Sequence, residues 1–179
     1  NKIWPRGFPL NEVNCELTYS VAEVAESAAV VQGLADKDPD VDAIYRLTQA
    51  EGEFIFNDEQ QAFGLPSKVY CPFNSQNTLW QPSAYVLRYL PVPVRFRYTD
   101  ILRSFVAKRC LDHAGLRLAF APATVFQERN EHDLFKDFTD ELECYTNTPK
   151  VLAALEALKL DGTISLADAL LACYQTLVD

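Results

Sequence analysis

The chain has 179 residues, of which 49% are hydrophobic and 23% are charged, a composition that excludes a disordered or low-complexity protein. Its 16 Lys and Arg residues against 25 Asp and Glu residues give a net charge of −9, which argues against a nucleic-acid partner because such a surface is basic. No apolar run approaches the roughly 18 residues of a membrane-spanning helix, so we predict no membrane span in this chain.

The chain starts at Asn1, contains no Met and has five cysteines. The absence of Met predicts a fragment of a longer protein. The cysteines are widely spaced and form no Cys-x-x-Cys pair, which excludes a zinc ribbon or a thioredoxin-type site. We expect all of them to be unpaired thiols.

Short strands and one short helix are predicted for the first half of the chain. The two prolines and the glycine of residues 4–9 predict an extended, turn-rich start. A helix is predicted from Asp38 to Leu47, with Pro39 in its first turn. The predicted strands cover residues 28–34, 53–57, 68–72 and 77–80.

The second half is predicted to be more helical. Its strongest pattern is an amphipathic helix that Thr99 or Asp100 caps and Gly115 ends. Ser165 and Asp168 form a start similar to a capping box for a last helix. Helices are also predicted at 81–90, 132–142, 150–160 and 165–177, and strands at 92–96, 117–120 and 123–126. The predicted fold class is therefore α/β, with a helical C-terminal tail.

Acidic residues occupy every second position from Asp36 to Asp42. An EF-hand loop counted from Asp36 would need Gly and Glu where Val41 and Leu47 stand, so the sequence does not support a calcium loop. We expect instead a solvated acidic turn at the start of a helix, where acids suit the positive end of the helix dipole.

Asp100 is the first candidate for chemistry. At the N-terminus of the predicted helix, backbone N–H groups and the helix dipole would hold its carboxylate ionised, as a general base toward a sugar hydroxyl requires. Ordinary N-capping is the simpler explanation of an Asp at this position. The flanking arginines could bind a diphosphate or neutralise neighbouring acids; they are Arg95, Arg97 and Arg103.

The polar run of residues 127–133 follows a predicted strand. Open α/β sheets bind ligands at the carboxyl ends of their strands, but a hydrated loop leading into a helix explains the run equally well. Neither His113 nor His132 has a metal-ligating residue three or four positions later, so no local zinc motif exists. The chain also lacks the P-loop, GxSxG and GxGxxG motifs.

Five segments together resemble the STELLO-type family of glycosyltransferases, which is known best from plants. They occur in the same order, and several are eight or more residues long. The segments are residues 4–10 (WPRGFPL), 38–48 (DPDVDAIYRLT), 71–80 (CPFNSQNTLW), 98–107 (YTDILRSFVA) and 126–134 (FQERNEHDL). The resemblance covers roughly residues 1–145, and the tail after Pro149 carries no motif that belongs to it.

A fainter resemblance reaches the plant reversibly glycosylated polypeptides, which are UDP-arabinopyranose mutases. By this resemblance Arg6 falls where those proteins become glycosylated, Asp100 falls on an acidic position near the sugar site, and Asn77 falls in the loop that approaches the donor sugar. The mutases have His where this chain has Gln127, at a position that often carries a metal ligand in GT-A enzymes. The resemblance implies that His132 takes the metal role or that metal binding is weakened.

The fold implied by the resemblance is the C-terminal part of a GT-A-like nucleotide-sugar glycosyltransferase. Residues 1–148 would form its acceptor-side part, and residues 149–179 a helical C-terminal extension. The nucleotide pocket, an Asp-x-Asp metal motif and a membrane anchor would lie before Asn1 in the parent protein. By the same resemblance, that protein is expected to be anchored in the Golgi membrane.

The implied function is transfer of a sugar from a UDP-sugar donor to a glycan or protein acceptor. Asp100 is the predicted catalytic residue, and the predicted substrate contacts are Arg6, Asn77, Arg103 and Glu128. A divalent cation, Mn²⁺ or Mg²⁺, is expected in the full-length protein to offset charge on the departing diphosphate. The alternative is a non-catalytic scaffold that assists the assembly or trafficking of other Golgi glycosyltransferases, since fold likeness alone does not establish catalysis.

Overall fold

The computed structural model describes residues 3–16, 22–23, 28–49, 52–56, 59 and 61–178. These residues contain one mixed sheet of five strands, together with five α-helices. The strands are β1 (Ala22–Glu23), β2 (Ala28–Lys37), β3 (Phe63–Gly64), β4 (Thr78–Trp80) and β5 (Arg117–Gln127). The helices are α1 (Ala43–Thr48), α2 (Phe96–His113), α3 (Leu134–Asp140), α4 (Leu142–Ala157) and α5 (Leu166–Val178). Two 3₁₀ helices, Leu10–Glu12 and Pro82–Arg88, complete these elements.

The two long strands β2 and β5 lie side by side and run parallel within the sheet. The strand order is β1-β3-β5-β2-β4, and the other three pairs are antiparallel. Parallel strands end at the same edge of a sheet, so Lys37 at the end of β2 is the register partner of Gln127 at the end of β5. The predicted α/β class is confirmed, as a mixed sheet with C-terminal helices.

Helix α2 is the centre of the hydrophobic core. Its side chains are buried around most of its circumference because β5, α4 and α5 all pack against it. Tyr98, Phe105 and Leu111 of α2 are at most 1% exposed. Burial of such a side chain contributes roughly 1.5–3 kcal/mol, so α2 joins the sheet and the C-terminal helices in one core.

The start of α2 differs from the prediction. The helix begins at Phe96, and the residue before it, Arg95, makes no side-chain cap. The prediction that Thr99 or Asp100 caps the helix is therefore wrong, because both lie inside its first turns. The strand predicted at 92–96 is also wrong, since Pro91 and Pro93 remove backbone donors that a sheet would need and residues 92–94 form a turn.

Strand β5 unites two predicted strands, 117–120 and 123–126. Pro122 is tolerated within it because the pairing with β2 changes register in this region. The strands predicted at 28–34 and 77–80 are confirmed as β2 and β4. Residues 68–72 form no strand, and within 53–57 the described residues 53–56 contribute a single bridge, between Phe54 and Lys37; residue 57 lies outside the described part.

Most of the predicted helices are present, but several begin or end at other residues than predicted. The helix predicted from Asp38 begins at Ala43 as α1, and the segment predicted at 81–90 is the 3₁₀ helix Pro82–Arg88. Helix α5 begins directly after Ser165, whose Oγ accepts from the backbone N–H of Asp168 at 3.2 Å, which confirms the predicted capping box. Helix α3 lies within the predicted 132–142 segment.

Helix α4 begins at Leu142, before the predicted residue 150, and contains Pro149. It runs across the boundary predicted between residues 148 and 149, and Leu155 of α4 and Leu170 of α5 are buried in the same core as α2. The two-part division stays a prediction. Within the described residues, no helix combines the length and hydropathy that a membrane crossing would require.

Candidate functional site

A cavity of about 220 Å³ lies beside the second half of β2, between the N-terminal segment and the loop that precedes β4. Its walls are largely apolar and include Trp4, Phe56 and Phe73. Its polar lining consists of Arg6, Gln32, Asp40, Asn74 and Gln76. The cavity is the candidate functional site because α/β folds bind ligands where parallel strands end.

Arg6 is the charged centre of this site and is only 8% exposed. Its Nε lies 3.0 Å from Oδ1 of Asp40 and its Nη2 lies 2.9 Å from Oδ2, so the two side chains form a bidentate ion pair. Nη1 and Nη2 also lie 3.3 Å from the carboxylate of Asp100, and Nη1 donates to the carbonyl of Arg97. One guanidinium thus joins the N-terminal segment, the loop after β2 and helix α2.

The charges of this cluster shift the ionisation of its members. Burial alone would raise the pKa of Asp40, but the charge of Arg6 and the hydrogen bonds from Arg6 and Asn74 outweigh it and hold the pKa below its usual value. Burial opposes the charged form of Arg6, yet Asp40 and Asp100 raise its pKa well above the ordinary value. Arg6 and Asp40 are therefore both charged at neutral pH.

The loop of residues 73–77 is held against the cluster by both aspartates and a second arginine. Asn74 donates its side-chain amide to Asp40 at 2.9 Å, and the backbone N–H of Ser75 donates to Asp100 at 3.2 Å. Arg103 of α2 donates to the carbonyl of Asn74 at 3.1 Å and to Oγ of Ser75 at 3.3 Å. Its guanidinium also lies over the rings of two aromatic residues, Phe73 at 5.2 Å and Trp80 at 5.0 Å.

Asn77 joins the same loop to both parallel strands. Its side-chain amide donates to the carbonyl of Leu34 at 3.0 Å and to Oγ1 of Thr124 at 2.9 Å. The approach needs a glycine at position 33, because a Cβ on Gly33 would lie 2.3 Å from the Asn77 amide nitrogen. Asn77 is therefore near the cavity, and its amide is engaged in holding the loop.

Glu128 lies at the carboxyl edge of the sheet but does not join the Arg6 cluster. Its side chain is 84% exposed and pairs with Lys37 at 3.2 Å. The preceding residue, Gln127, accepts a hydrogen bond of 2.6 Å from Gln76 of the loop. The structure thus gathers Arg6, Asp100 and Arg103 around the loop, whereas the carboxylate of Glu128 contacts a different basic residue.

His132 belongs to a separate ion-pair cluster. Its Nδ1 lies 3.3 Å from the carboxylate of Asp137, which also contacts Arg97 and Arg129. A carboxylate that already faces two guanidinium groups is a poor ligand for a divalent cation. Within the described part of the chain, no three His, Cys, Asp or Glu side chains are grouped so that they could hold a metal ion.

Two residues of the acidic run make structural contacts that the sequence analysis does not predict. The expectation of a solvated turn is wrong for Asp40, which binds Arg6, and for Asp42, which is fully buried. Asp42 caps α1 by accepting from the backbone N–H of Tyr45 at 2.7 Å, and it accepts from the indole of Trp4 at 2.7 Å. Burial raises the pKa of Asp42. The available signal was Trp4 and Arg6, because an indole or a guanidinium that becomes buried needs an acceptor such as a carboxylate.

A buried carboxylate, Glu141, ties α1 to α4 behind this region. It is fully buried and accepts from the backbone N–H of Ala43 at 2.7 Å and from the hydroxyl of Tyr145 at 2.7 Å. Arg97 pairs with the same carboxylate, with its Nε 2.9 Å from Oε1. Hydrogen bonds and an ion pair of Glu141 therefore join α1 and α2 to the start of α4, although these elements are distant in sequence.

The chain is similar to known glycosyltransferase sequences over most of its length. Residues 97–179 match the family described as STELLO glycosyltransferases. The chain is also 30% identical over 162 residues to "Probable glycosyltransferase STELLO2" of Arabidopsis thaliana and 31% identical over 162 residues to "Probable glycosyltransferase STELLO1" of the same plant. Each match covers 87% of this chain and 21% of the relative, so the chain spans about a fifth of the length of these curated relatives. The resemblance stated from the sequence motifs is confirmed, but its expected extent is wrong, because the family match includes the tail after Pro149.

Proposed function

We propose, from this similarity to the STELLO glycosyltransferases, that the chain is the acceptor-side part of a glycosyltransferase whose full-length form transfers a sugar from a UDP-sugar donor to a glycan or protein acceptor. The observation that carries the proposal is the cavity beside β2, which lies next to Arg6 and Asp40 and contacts four of the segments that resemble the family. A ligand site toward the carboxyl ends of parallel strands is typical of α/β enzymes, and the mixed sheet is consistent with a GT-A-like fold.

The proposed roles of the site residues follow from their contacts. Arg6, which lines the cavity, and Asn77, which is bonded beside it to Leu34, are the proposed contacts for the sugar. Arg103 would keep the loop of residues 73–77 in place through Asn74 and Ser75. Glu128, which is exposed at the sheet edge, would contact the acceptor.

Asp100 is the proposed key carboxylate, and its contacts favour a positioning role. Its oxygens accept from Arg6 and from the backbone N–H of Ser75, and it is not among the residues that line the cavity. An Asp held in this way acts on a substrate through Arg6 and the loop. The effect on catalysis would arise because Asp100 and Asp40 together hold the orientation of Arg6.

A divalent cation, Mn²⁺ or Mg²⁺, remains part of the proposal for the full-length protein, where it would offset charge on the departing diphosphate. His132 does not fit the role of its ligand, because its neighbouring carboxylate already faces Arg97 and Arg129. We therefore propose no step of the reaction that passes through the cation on residues of this chain. A Golgi location with a membrane anchor elsewhere in the parent protein is likewise proposed from the resemblance.

The experiment is a transfer assay on the full-length protein with a panel of UDP-sugars and Mn²⁺. Turnover is expected for the unchanged protein, a loss of at least about tenfold for Asp100→Asn, and a partial recovery for Asp100→Glu. Asp161→Asn, at an exposed residue that does not line the cavity, is the matched control and should leave turnover unchanged. Undiminished turnover in Asp100→Asn would remove Asp100 from the mechanism, and no turnover with any UDP-sugar would contradict the proposed activity.

A non-catalytic scaffold is the second candidate, and two observations favour it. The polar side chains that line the cavity are all hydrogen-bonded within the chain; they are Arg6, Gln32, Asp40, Asn74 and Gln76. In addition, Val92 before α2 is 83% exposed and Phe96, the first residue of α2, is 90% exposed, which is typical of an interaction surface. Other Golgi glycosyltransferases are the partners proposed for this role.

The scaffold proposal predicts that binding and turnover respond to different residues. In the full-length protein, Val92→Ser with Phe96→Ser should weaken co-purification with defined glycan-synthesising enzymes, whereas Asp100→Asn should not. Leu47→Ser, at an exposed residue of α1, is the control for loss of surface hydrophobicity. Unchanged co-purification in the Val92 and Phe96 double variant would count against this surface.

A further inference from the structure

Two thiols from different helices meet in the centre of the core. Cys110 of α2 and Cys173 of α5 are both fully buried, and their Sγ atoms lie 3.8 Å apart. They are 63 positions apart in sequence, so the contact exists only because α5 packs along α2. The sequence predicted unpaired cysteines from the wide spacing alone, and spacing does not report which thiols meet in space.

The surroundings of the pair hold both helices in place. Arg109 of α2 donates to the carbonyl of Leu155 at 3.0 Å and to that of Leu158 at 2.8 Å, which secures the C-terminal end of α4 against α2. Helix α5 follows after a short turn and is started by the Ser165 capping box. The two sulfurs therefore face each other where α5 packs along α2, in a core whose third helix, α4, is tied to α2 by Arg109.

We propose that Cys110 and Cys173 are a disulfide-forming pair that links α5 covalently to α2. A disulfide needs the sulfurs about 2.05 Å apart, which is a closer approach than their present contact. In the reaction each thiol gives up its proton and one bond forms between the two sulfurs. The two electrons pass to a disulfide oxidant, such as glutathione disulfide or a disulfide-bearing oxidoreductase, which is reduced to two thiols.

The burial of the pair determines when this reaction takes place. The thiolate is the attacking species, and the hydrogen bond between the two thiols raises the pKa of Cys110 and lowers that of Cys173. Both sulfurs are nevertheless fully buried and closed to a dissolved oxidant. The folded, reduced protein therefore reacts slowly. The disulfide forms while the core closes, when both sulfurs are still accessible, and it is shielded from reductants afterwards.

The consequence is that the C-terminal helix α5 becomes covalently linked to α2. The disulfide would close a loop of 63 positions, which lowers the entropy of the unfolded chain and is expected to raise the melting temperature by roughly 10 °C. This inference stands on the geometry of the two helices and is independent of the proposed transferase activity. It matters in cells only where the compartment is oxidising.

The experiment is peptide mapping of the full 179-residue chain after it is refolded with glutathione disulfide and alkylated under denaturing conditions without reduction. We expect a linked peptide pair containing Cys110 and Cys173, a mass lower by two hydrogens, and a melting temperature that falls when the disulfide is reduced. Alkylation of both Cys110 and Cys173 after refolding would overturn the proposal. The unmodified chain is sufficient for this measurement, so no variant has to fold.

Two variants test the specificity of the pair. Cys144→Ala removes another buried thiol, whose Sγ lies 3.9 Å from the carbonyl oxygen of Arg97, and it should leave the linked peptide intact. Cys110→Ala should abolish the linked peptide and leave Cys173 open to alkylation after denaturation. A linked peptide that joins Cys173 to another cysteine in the unchanged chain would contradict the assignment.

Discussion

Arg6 and Asp40 form a bidentate ion pair, with Nε 3.0 Å from Oδ1 and Nη2 2.9 Å from Oδ2, although they are 34 positions apart in sequence. Both residues line the cavity, and Arg6 also pairs with Asp100 of α2 at 3.3 Å. The same contacts that build the candidate site are therefore also contacts between the N-terminal segment, the loop after β2 and the central helix. Substitutions here are expected to affect both stability and function.

Replacement of Arg6 by Gln is expected to lower the free energy of unfolding by about 3 kcal/mol, because it leaves the carboxylates of Asp40 and Asp100 close together without their counter-ion. Urea denaturation of the chain measures this loss. The control is Lys37→Gln, which removes the partly exposed partner of the exposed Glu128 and should change the urea midpoint little. Similar midpoints for the two variants would show that the Arg6 cluster is no more stabilising than a surface ion pair.

The acid dependence of stability should change in Asp40→Asn. The pKa of Asp40 is lower in the folded state than in the unfolded state, so its charge stabilises the fold fully above about pH 5, and this contribution is lost as the pH falls through the lowered pKa. The difference in unfolding free energy between wild type and Asp40→Asn is therefore expected to be largest at neutral pH and to shrink on acidification. A difference that stays constant from pH 7 to strong acid would exclude this linkage.

Gly7 is required for two separate reasons, and Gly7→Ala should lower the free energy of unfolding by about 3 kcal/mol. Its φ of +83° suits glycine, and an added Cβ would lie 2.3 Å from Cγ2 of Ile101 in α2. Gly115→Ala is the matched control, because φ is +67° there and no atom lies within 4 Å of an added Cβ. That variant should lose only about 1 kcal/mol, the cost of the backbone conformation alone. Equal losses would rule out the contact with Ile101.

Glu141→Gln should destabilise the protein by about 3 kcal/mol, because the buried carboxylate is the counter-ion of Arg97 and accepts from Ala43 and Tyr145. Thermal unfolding provides the measurement. Glu143→Gln, two positions later, removes a partly exposed partner of Arg95 and should leave the melting temperature nearly unchanged. If the Glu143 variant were the less stable one, the assignment of Glu141 as the link between α1 and α4 would be wrong.

The isolated 179-residue chain is expected to show no measurable UDP-sugar binding by titration calorimetry. The proposed function assigns this chain to the acceptor side only, and the polar groups that line the cavity already have partners within the chain. The full-length protein in the same buffer with Mn²⁺ is the positive control. Tight binding of a UDP-sugar to the isolated chain would contradict the acceptor-side assignment.

The elements that were predicted correctly are those whose signals lie within a few residues of one another. Strand β2 and the end of α2 just before Gly115 follow from local backbone preferences. The start of α5 follows from the Ser165 side chain, which accepts from a backbone N–H three positions later. The beginning of α2 was misplaced because Tyr98 is buried in the core. Packing of that side chain extends the helix to Phe96, beyond the residue that a capping rule selects.

By itself, the sequence determined the α/β class, most of the elements and the likeness to the STELLO family, because periodicity, caps and motifs each depend on residues that are close together in the chain. The tertiary structure decided what those residues do. It placed Arg6 between Asp40 and Asp100, buried Asp42 of the predicted acidic turn, and buried Glu141 at the start of α4. It also left Glu128 and His132 in other ion pairs and brought Cys110 against Cys173. The physical reason is that ion pairs and thiol contacts act over a few ångströms in space, and chain topology alone sets which distant residues come within that range.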